Sequence, residues 1–348
     1  MHTPHQSRMA FIVGLLVMTA IASCSPQATP SIRTPSLPHP TATRLPSPSP
    51  SRTAPPTPSS SPTPRPISVA SLPAGQYILV ASWETEGRGL RILSPAGVDQ
   101  GLITTGPFES PALSADTRKL AYVSRRPLSL EPLTEIAVLD LETLEIKTIP
   151  GTLHCSYPSW SPASEWLAIA CRDGEIHAVN TVTSEDITLT SCHDDEGFSC
   201  YWPSWSPDGS TIAFYGGLEF SGRNSLRFLT TDCIRSGGTC TISDTNNPTA
   251  GIPYAWSADS QSLAVTSRGG FIDLVNPTSF RVVAKPLGSE IVASSMAWSP
   301  DSQSIALIAH ALGGEDYMWI TEVQSDRTKQ VLNYAIDPIA VLAWIAVP

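Results

Sequence analysis

Residues Tyr201 to Gly217 read YWPSWSPDGSTIAFYGG. Ser206-Pro207-Asp208-Gly209 has the chemistry of a type I turn: Ser first, Pro presetting φ at the second place, Asp and then Gly closing it. Beyond the turn, Ile212, Ala213 and Phe214 are apolar on both faces of an extended segment. That pattern marks a strand buried between neighbours, not a solvated edge. Trp205, just ahead of the turn, is the bulky anchor of the hairpin.

Altered copies of this stretch recur along the chain. They are ESPALSADTRKLAYVS (109–124), SYPSWSPASEWLAIAC (156–171), GIPYAWSADSQSLAVTS (251–267) and ASSMAWSPDSQSIALIA (293–309), with a truncated DPIAVLAWIAVP at 337–348. The anchors are Leu113, Trp160, Trp205, Trp256, Trp298 and Trp344, spaced by 47, 45, 51, 42 and 46 residues. A period in this range signals a propeller or a solenoid. Eight residues beyond each of the first five anchors stands an alanine: Ala121, Ala168, Ala213, Ala264 and Ala306. It is flanked each time by larger apolar residues. A small residue on one face leaves room for a bulky one from the next sheet, so the tryptophans are expected to pack between sheets. The turn aspartates Asp116, Asp208, Asp259 and Asp301 are read as turn-formers and not as paired catalytic carboxylates.

Two further strands follow each hairpin, as in TEIAVLDLE then EIKTIPG, and GFIDLVNP then FRVVAKPL. Four strands per repeat, arranged radially, make a β-propeller. The first readable strand, GQYILVASW (75–83), has no anchor strand before it, and the last, IAVLAWIAV, has no blade after it. Joining the two gives an all-β, six-bladed propeller of four-stranded blades, closed by the C-terminal strand in the first blade. PSWSPDGSTIAF resembles the TolB-type, WD-repeat-like propeller motif, and the resemblance covers about 75–348. It implies a periplasmic or secreted propeller, or the propeller domain of a peptidase. The copies at 111–123 and 253–265 lack the turn proline.

The N-terminus supplies an address. Arg8 precedes an apolar run from Ala10 to Ala22, the parts of a secretory signal and too short to span a bilayer. Ile21-Ala22-Ser23-Cys24 resembles the bacterial lipobox, which implies that Cys24 carries lipid and becomes the mature N-terminus. The expected organisation is a signal peptide at 1–23, a lipid-anchored Pro/Ser/Thr-rich linker at 24–72 and the propeller at 73–348. Such a linker cannot form a core. Its roughly 48 residues would reach on the order of 150 Å as extended polyproline II. The protein is thus expected at the extracytoplasmic face of a bacterial membrane, on the cell surface or in the periplasm.

Charge excludes one class of partner. The first 72 residues hold five arginines and no acid; of 21 Lys and Arg, 16 therefore remain beyond residue 72 against 31 Asp and Glu, a net −15. An acidic head does not neutralise phosphates, so no nucleic-acid partner is expected.

Six cysteines follow Cys24, an even number in an exported chain. Cys155 and Cys171 lie equally far from the turn of one hairpin. Cys192 and Cys200 bracket HDDEGFS, and Cys233 and Cys240 bracket IRSGGT. The predicted pairs are 155–171, 192–200 and 233–240. The spacing suits no zinc knuckle, and neither metal nor other cofactor is expected.

Candidate ligand-binding residues lie in the connections. His193, Asp194, Asp195 and Glu196 form the densest polar cluster, in a connection leading into an inner strand. Glu315 and Asp316 sit in a connection opening toward the same face; oxygen ligands there would suit calcium. Tyr201, Trp202 and Tyr254 would line the rim and contact sugar or peptide. No G-x-S-x-G elbow, Walker loop or dinucleotide fingerprint appears. The preferred reading is a non-catalytic module binding a protein, peptide or glycan; the alternative is a glycan lyase or hydrolase with its site in the central funnel.

Overall fold

The computed structural model describes residues 67–348, apart from 83–88, 127–132, 192–198, 218–224, 238–239, 245–249, 268–270, 280–281, 287–290, 312–315, 326 and 333–339. Six four-stranded antiparallel sheets are formed, each running from an inner to an outer strand. Blade 2 is Glu109–Leu113, Lys119–Arg126, Leu133–Asp140 and Ile146–Thr148; blade 3 is Cys155–Trp160, Trp166–Cys171, Glu175–Asn180 and Asp186–Ser191. Blade 4 is Ser199–Trp205, Thr211–Gly217, Ser225–Thr230 and Ile242–Asp244; blade 5 is Ala250–Trp256, Leu263–Ser267, Phe271–Val275 and Val282–Pro286. Blade 6 is Ile291–Trp298, Ser304–Ala311, Asp316–Glu322 and Thr328–Leu332.

Blade 1 closes the ring as expected. Ala340–Val347 is its inner strand, followed by Gly75–Ser82, Gly89–Leu93 and Asp99–Thr105. Trp344 stands opposite Ile78 and Ala343 opposite Leu79. This is the register that places Trp160 opposite Leu167 and Trp205 opposite Ile212 in the complete repeats.

The alanines explain how the blades stack. Each shares a buried cluster with the anchor tryptophan of the next blade: Ala121 with Trp160, Ala213 with Trp256, Ala264 with Trp298. The indole then donates across the seam. Trp160 bonds the Ala112 carbonyl at 3.0 Å, Trp256 that of Ser204 at 3.0 Å and Trp298 that of Ala255 at 2.9 Å. Each of these carbonyls belongs to the residue paired with the alanine of the neighbouring strand. Trp205 departs from the rule and bonds the Gly209 carbonyl of its own turn, and Trp344 bonds the Gln76 side chain. At the seam between blades 1 and 2 both partners change. Leu79 stands where the alanine would be and Leu113 where the tryptophan would be, in one cluster. A larger residue on one side is matched by a smaller one on the other, which keeps the volume of the layer.

The turn aspartates have the structural role expected of them. In four blades the first serine donates its hydroxyl to the aspartate at 2.6 Å, and the aspartate accepts the N–H two residues on. At Asp301 the Ser299 hydroxyl and the Gln303 N–H hold the carboxyl below its ordinary value. Burial opposes ionisation of Asp208, but the Ser206 and Ser210 donors outweigh it and lower its pKa. The residue after the aspartate adopts left-handed φ at Thr117, Gly209, Ser260 and Ser302, as does Ser164 after Ala163 in blade 3. The serines use their hydroxyls between blades: Asp116, Asp208 and Asp259 donate their N–H to Ser164, Ser260 and Ser302. Where glycine takes this place, a Cβ would meet the Pro162 ring of the preceding blade at 3.4 Å.

One expected boundary moves. The linker is expected to run to residue 72, but Ile67, Val69 and Leu72 pack against the cluster holding Leu79 and Leu113. The Ile67 N–H bonds the Leu102 carbonyl at 2.9 Å, and Val69–Ser71 form a 3-10 turn capped by Ser68. Three apolar residues within six, absent from the preceding Pro/Ser/Thr stretch, give this segment something to bury.

Candidate ligand-binding channel

The six inner strands enclose an axial channel of about 980 Å³. Every complete blade breaks its inner-strand register just ahead of the anchor. A bulge of this kind inserts an extra residue, two in blade 5, and re-aims a side chain. In blades 2 to 4 the bulged residue precedes a proline and has left-handed φ: Ser110 (47°), Tyr157 (56°) and Trp202 (52°). Proline suits the place because the bulge leaves a ladder N–H unused. For a bulky residue this backbone region is an outlier, at a cost of about 1–3 kcal/mol each. Tyr157 and Trp202 thus hold their rings at the wall against local strain.

The wall is uneven. Tyr157, Trp202 and Tyr254 make an aromatic sector on blades 3 to 5, whereas Ser110, Ala293, Met296 and Leu342 face it from blades 2, 6 and 1. Tyr157 and Trp202 have ring centroids 5.1 Å apart, and Trp202 meets Tyr201 edge-on at 4.8 Å. Among the described residues that line the channel there is no Asp, Glu, Lys, Arg or His.

A buried phenol layer backs this sector. Tyr215 lies behind the wall, stacked on Tyr254 at 5.8 Å. Burial, then neighbouring Tyr201 and Asp273, push the Tyr215 phenol far above its ordinary range. Burial also raises Tyr254, whose hydroxyl has no hydrogen-bond partner among the described residues. Asp273, 7% exposed, has its carboxyl pushed up by burial against the opposing hydrogen bond from Ser267.

The predicted residues divide accordingly. Trp202 and Tyr254 are in the channel wall. Tyr201, expected at the rim, lies in the core at 6% exposure, because the bulge at Trp202 reverses which of the two faces the channel. His193, Asp194, Asp195, Glu196 and Glu315 lie outside the described residues. Asp316 opens the third strand of blade 6, opposite His310; its side chain lies outside the description. Tyr157 went unrecognised in the sequence, although Tyr157-Pro158 aligns with Trp202-Pro203 three residues before the anchor.

Two predicted disulfides are present, Cys155–Cys171 and Cys233–Cys240, with Cα atoms 4.0 and 4.9 Å apart. Cys200 is disulfide-bonded, while Cys192 lies outside the described residues. Disulfides fit an oxidising, extracytoplasmic compartment.

These features define the chain as a six-bladed β-propeller. No protein-family model and no curated protein matches its sequence. Among solved structures it is similar in fold to TolB from Acinetobacter baumannii, with a TM-score of 0.57 at 18% identity over 77% of this chain and 66% of that one. The chain thus spans just under two thirds of that protein's length. An oligogalacturonate lyase in complex with manganese gives 0.52 at 15% identity over 69% of this chain and 72% of that one. A chain of a nidogen/laminin complex gives 0.53 at 12%, covering 77% and 98%. At these identities the likeness is one of fold.

Proposed function

We propose that this propeller is a non-catalytic binding module, tethered by lipid on Cys24 at the extracytoplasmic face of a bacterial membrane, whose channel receives an uncharged segment of a protein, peptide or glycan partner. The carrying observation is the wall itself: aromatic rings, two of them on strained backbone, facing a channel with no Asp, Glu, Lys, Arg or His among its described residues. Aromatic faces bury apolar area against a ligand at low conformational cost. General acid–base catalysis most often uses a histidine or a carboxylate within hydrogen-bond reach of substrate, and among its described residues the wall offers only the phenols of Tyr157 and Tyr254. Propellers of similar fold that engage proteins, as in the nidogen/laminin complex, support the same reading.

Two experiments test it. Cross-linking and pull-down from the native envelope, beside a glycan array, should identify a ligand that Trp202→Ala binds about tenfold or more weakly, with an unchanged melting profile. Undiminished binding by Trp202→Ala would remove the channel from the reading, and turnover of any glycan would replace the module with an enzyme. The anchor rests on Ile21 to Cys24. Lipid on Cys24 is the attachment in this reading, so Cys24→Ala should move the protein to the aqueous phase on detergent partitioning. Retention of that variant in the detergent phase would end the lipid-anchor reading.

A further inference from the structure

A second constellation lies on blade 3, away from the channel wall. The tight turn after the second strand carries Asp173, and the third strand carries Glu175 and His177 on one face. Their ligand atoms all lie within 4.8 Å of one another. His177 Nε2 is 3.4 Å from Asp173 Oδ2 and 3.5 Å from Glu175 Oε2. On the other side of the ring, His177 Nδ1 is 2.9 Å from Asp186 Oδ1 of the outer strand.

His177 distinguishes this group from an ordinary acidic patch. A carboxylate only accepts. Asp186 can accept from Nδ1, and in that tautomer the Nε2 lone pair faces Asp173 and Glu175. Separations of 3.4 and 3.5 Å are long for N–H···O bonds, which cluster near 2.9–3.0 Å. They match the edge of a ligand tetrahedron, about 3.3–3.4 Å for metal–ligand bonds of about 2.0–2.1 Å. A histidine whose far nitrogen is held by a carboxylate is the usual second layer of a metal centre. The imidazole is largely buried, with 13% of its side chain exposed, and Asp173 is open to solvent at 52%. The turn is also pinned. Cys171 at its start is bridged to Cys155, and the Cys200 N–H bonds the Gly174 carbonyl at 3.1 Å.

We propose that Asp173, Glu175 and His177 bind a zinc-class divalent cation, with Asp186 as the positioning residue and a fourth coordination place open to solvent. One imidazole with two carboxylates suits zinc ahead of calcium or magnesium, which take oxygen ligands. The open place would accept a water or a side chain from a partner docking on this face. The site is independent of the channel and of the ligand proposed for it.

Calorimetric titration of the full-length, chelator-treated protein with Zn²⁺ at neutral pH tests this. The parent should bind one equivalent that His177→Gln loses, and its melting temperature should rise with Zn²⁺. Asp173→Asn provides a second variant at an exposed turn, because Asn retains the Oδ1 acceptor for the Glu175 N–H. It should weaken binding by at least tenfold without altering the zinc-free melt. Asp186→Asn removes no ligand but should cost about 10–100-fold in affinity. Equal Zn²⁺ affinity in the parent, His177→Gln and Asp173→Asn, or no uptake by the parent, would overturn the proposal and leave a histidine ion-paired with its neighbours.

Discussion

Deletion of Ala340–Pro348 is expected to abolish cooperative unfolding of the propeller. The lost strand covers both faces of Gly75–Ser82. Ile78 and Val80 share a cluster with Val341, and Leu79 shares one with Leu342, Ile345 and Val347. Ile78, Leu79, Val80 and Val341 are each at most 5% exposed. At about 1.5–3 kcal/mol per buried side chain these four represent about 6–12 kcal/mol, comparable with the whole stability of a typical domain at about 5–15 kcal/mol. The deletion also leaves a long apolar edge strand open to aggregation. Calorimetry and far-ultraviolet dichroism check the outcome: a truncated protein that still melts in one transition within a few degrees of the parent would refute closure by this strand.

The second large effect comes from the seams. Ala264→Leu should force a branched side chain against Trp298 and destabilise by about 1–3 kcal/mol. Trp298→Leu should empty the same layer and remove the indole bond to Ala255, at about 2–4 kcal/mol. The double variant recreates the pairing that Leu79 and Leu113 already make between blades 1 and 2. It should therefore be less destabilised than the sum of the two, with a coupling of about 0.5–3 kcal/mol. Denaturant titration of all four proteins gives this number, and strict additivity would show that the alanine and the tryptophan do not share a layer.

Much of this architecture could be read from the chain. The constant offset from Trp205 to Ala213, repeated in five copies, carries blade number, register and the interlocking of neighbours, because all three follow from one repeated local geometry. The turn aspartates were legible for the same reason. The seam at Leu79 was not, since Gly75–Ser82 lacks an anchor in sequence and its size match with Leu113 emerges only when the ring closes. Tyr157 was hidden because a residue in left-handed φ breaks the alternation by which strand faces are assigned. The phenol layer joins Tyr215 of blade 4 to Tyr254 of blade 5, a contact between repeats that no local pattern encodes. Trp202 and Tyr254 were recognisable as candidates because each is a large aromatic residue standing close before an anchor tryptophan.

The leucine seam has a mechanical consequence. Leu113 has no side-chain N–H with which to reach across, so blades 1 and 2, like blades 3 and 4 and blades 6 and 1, lack the indole bond that joins blades 2 and 3, 4 and 5, and 5 and 6. Residues Ile67, Val69 and Leu72 lie over that same cluster, and they continue directly from the Pro/Ser/Thr-rich stretch. Tension drawn through that stretch would act on this strap before it reached any blade. The segment that latches this seam is therefore the one through which load would arrive.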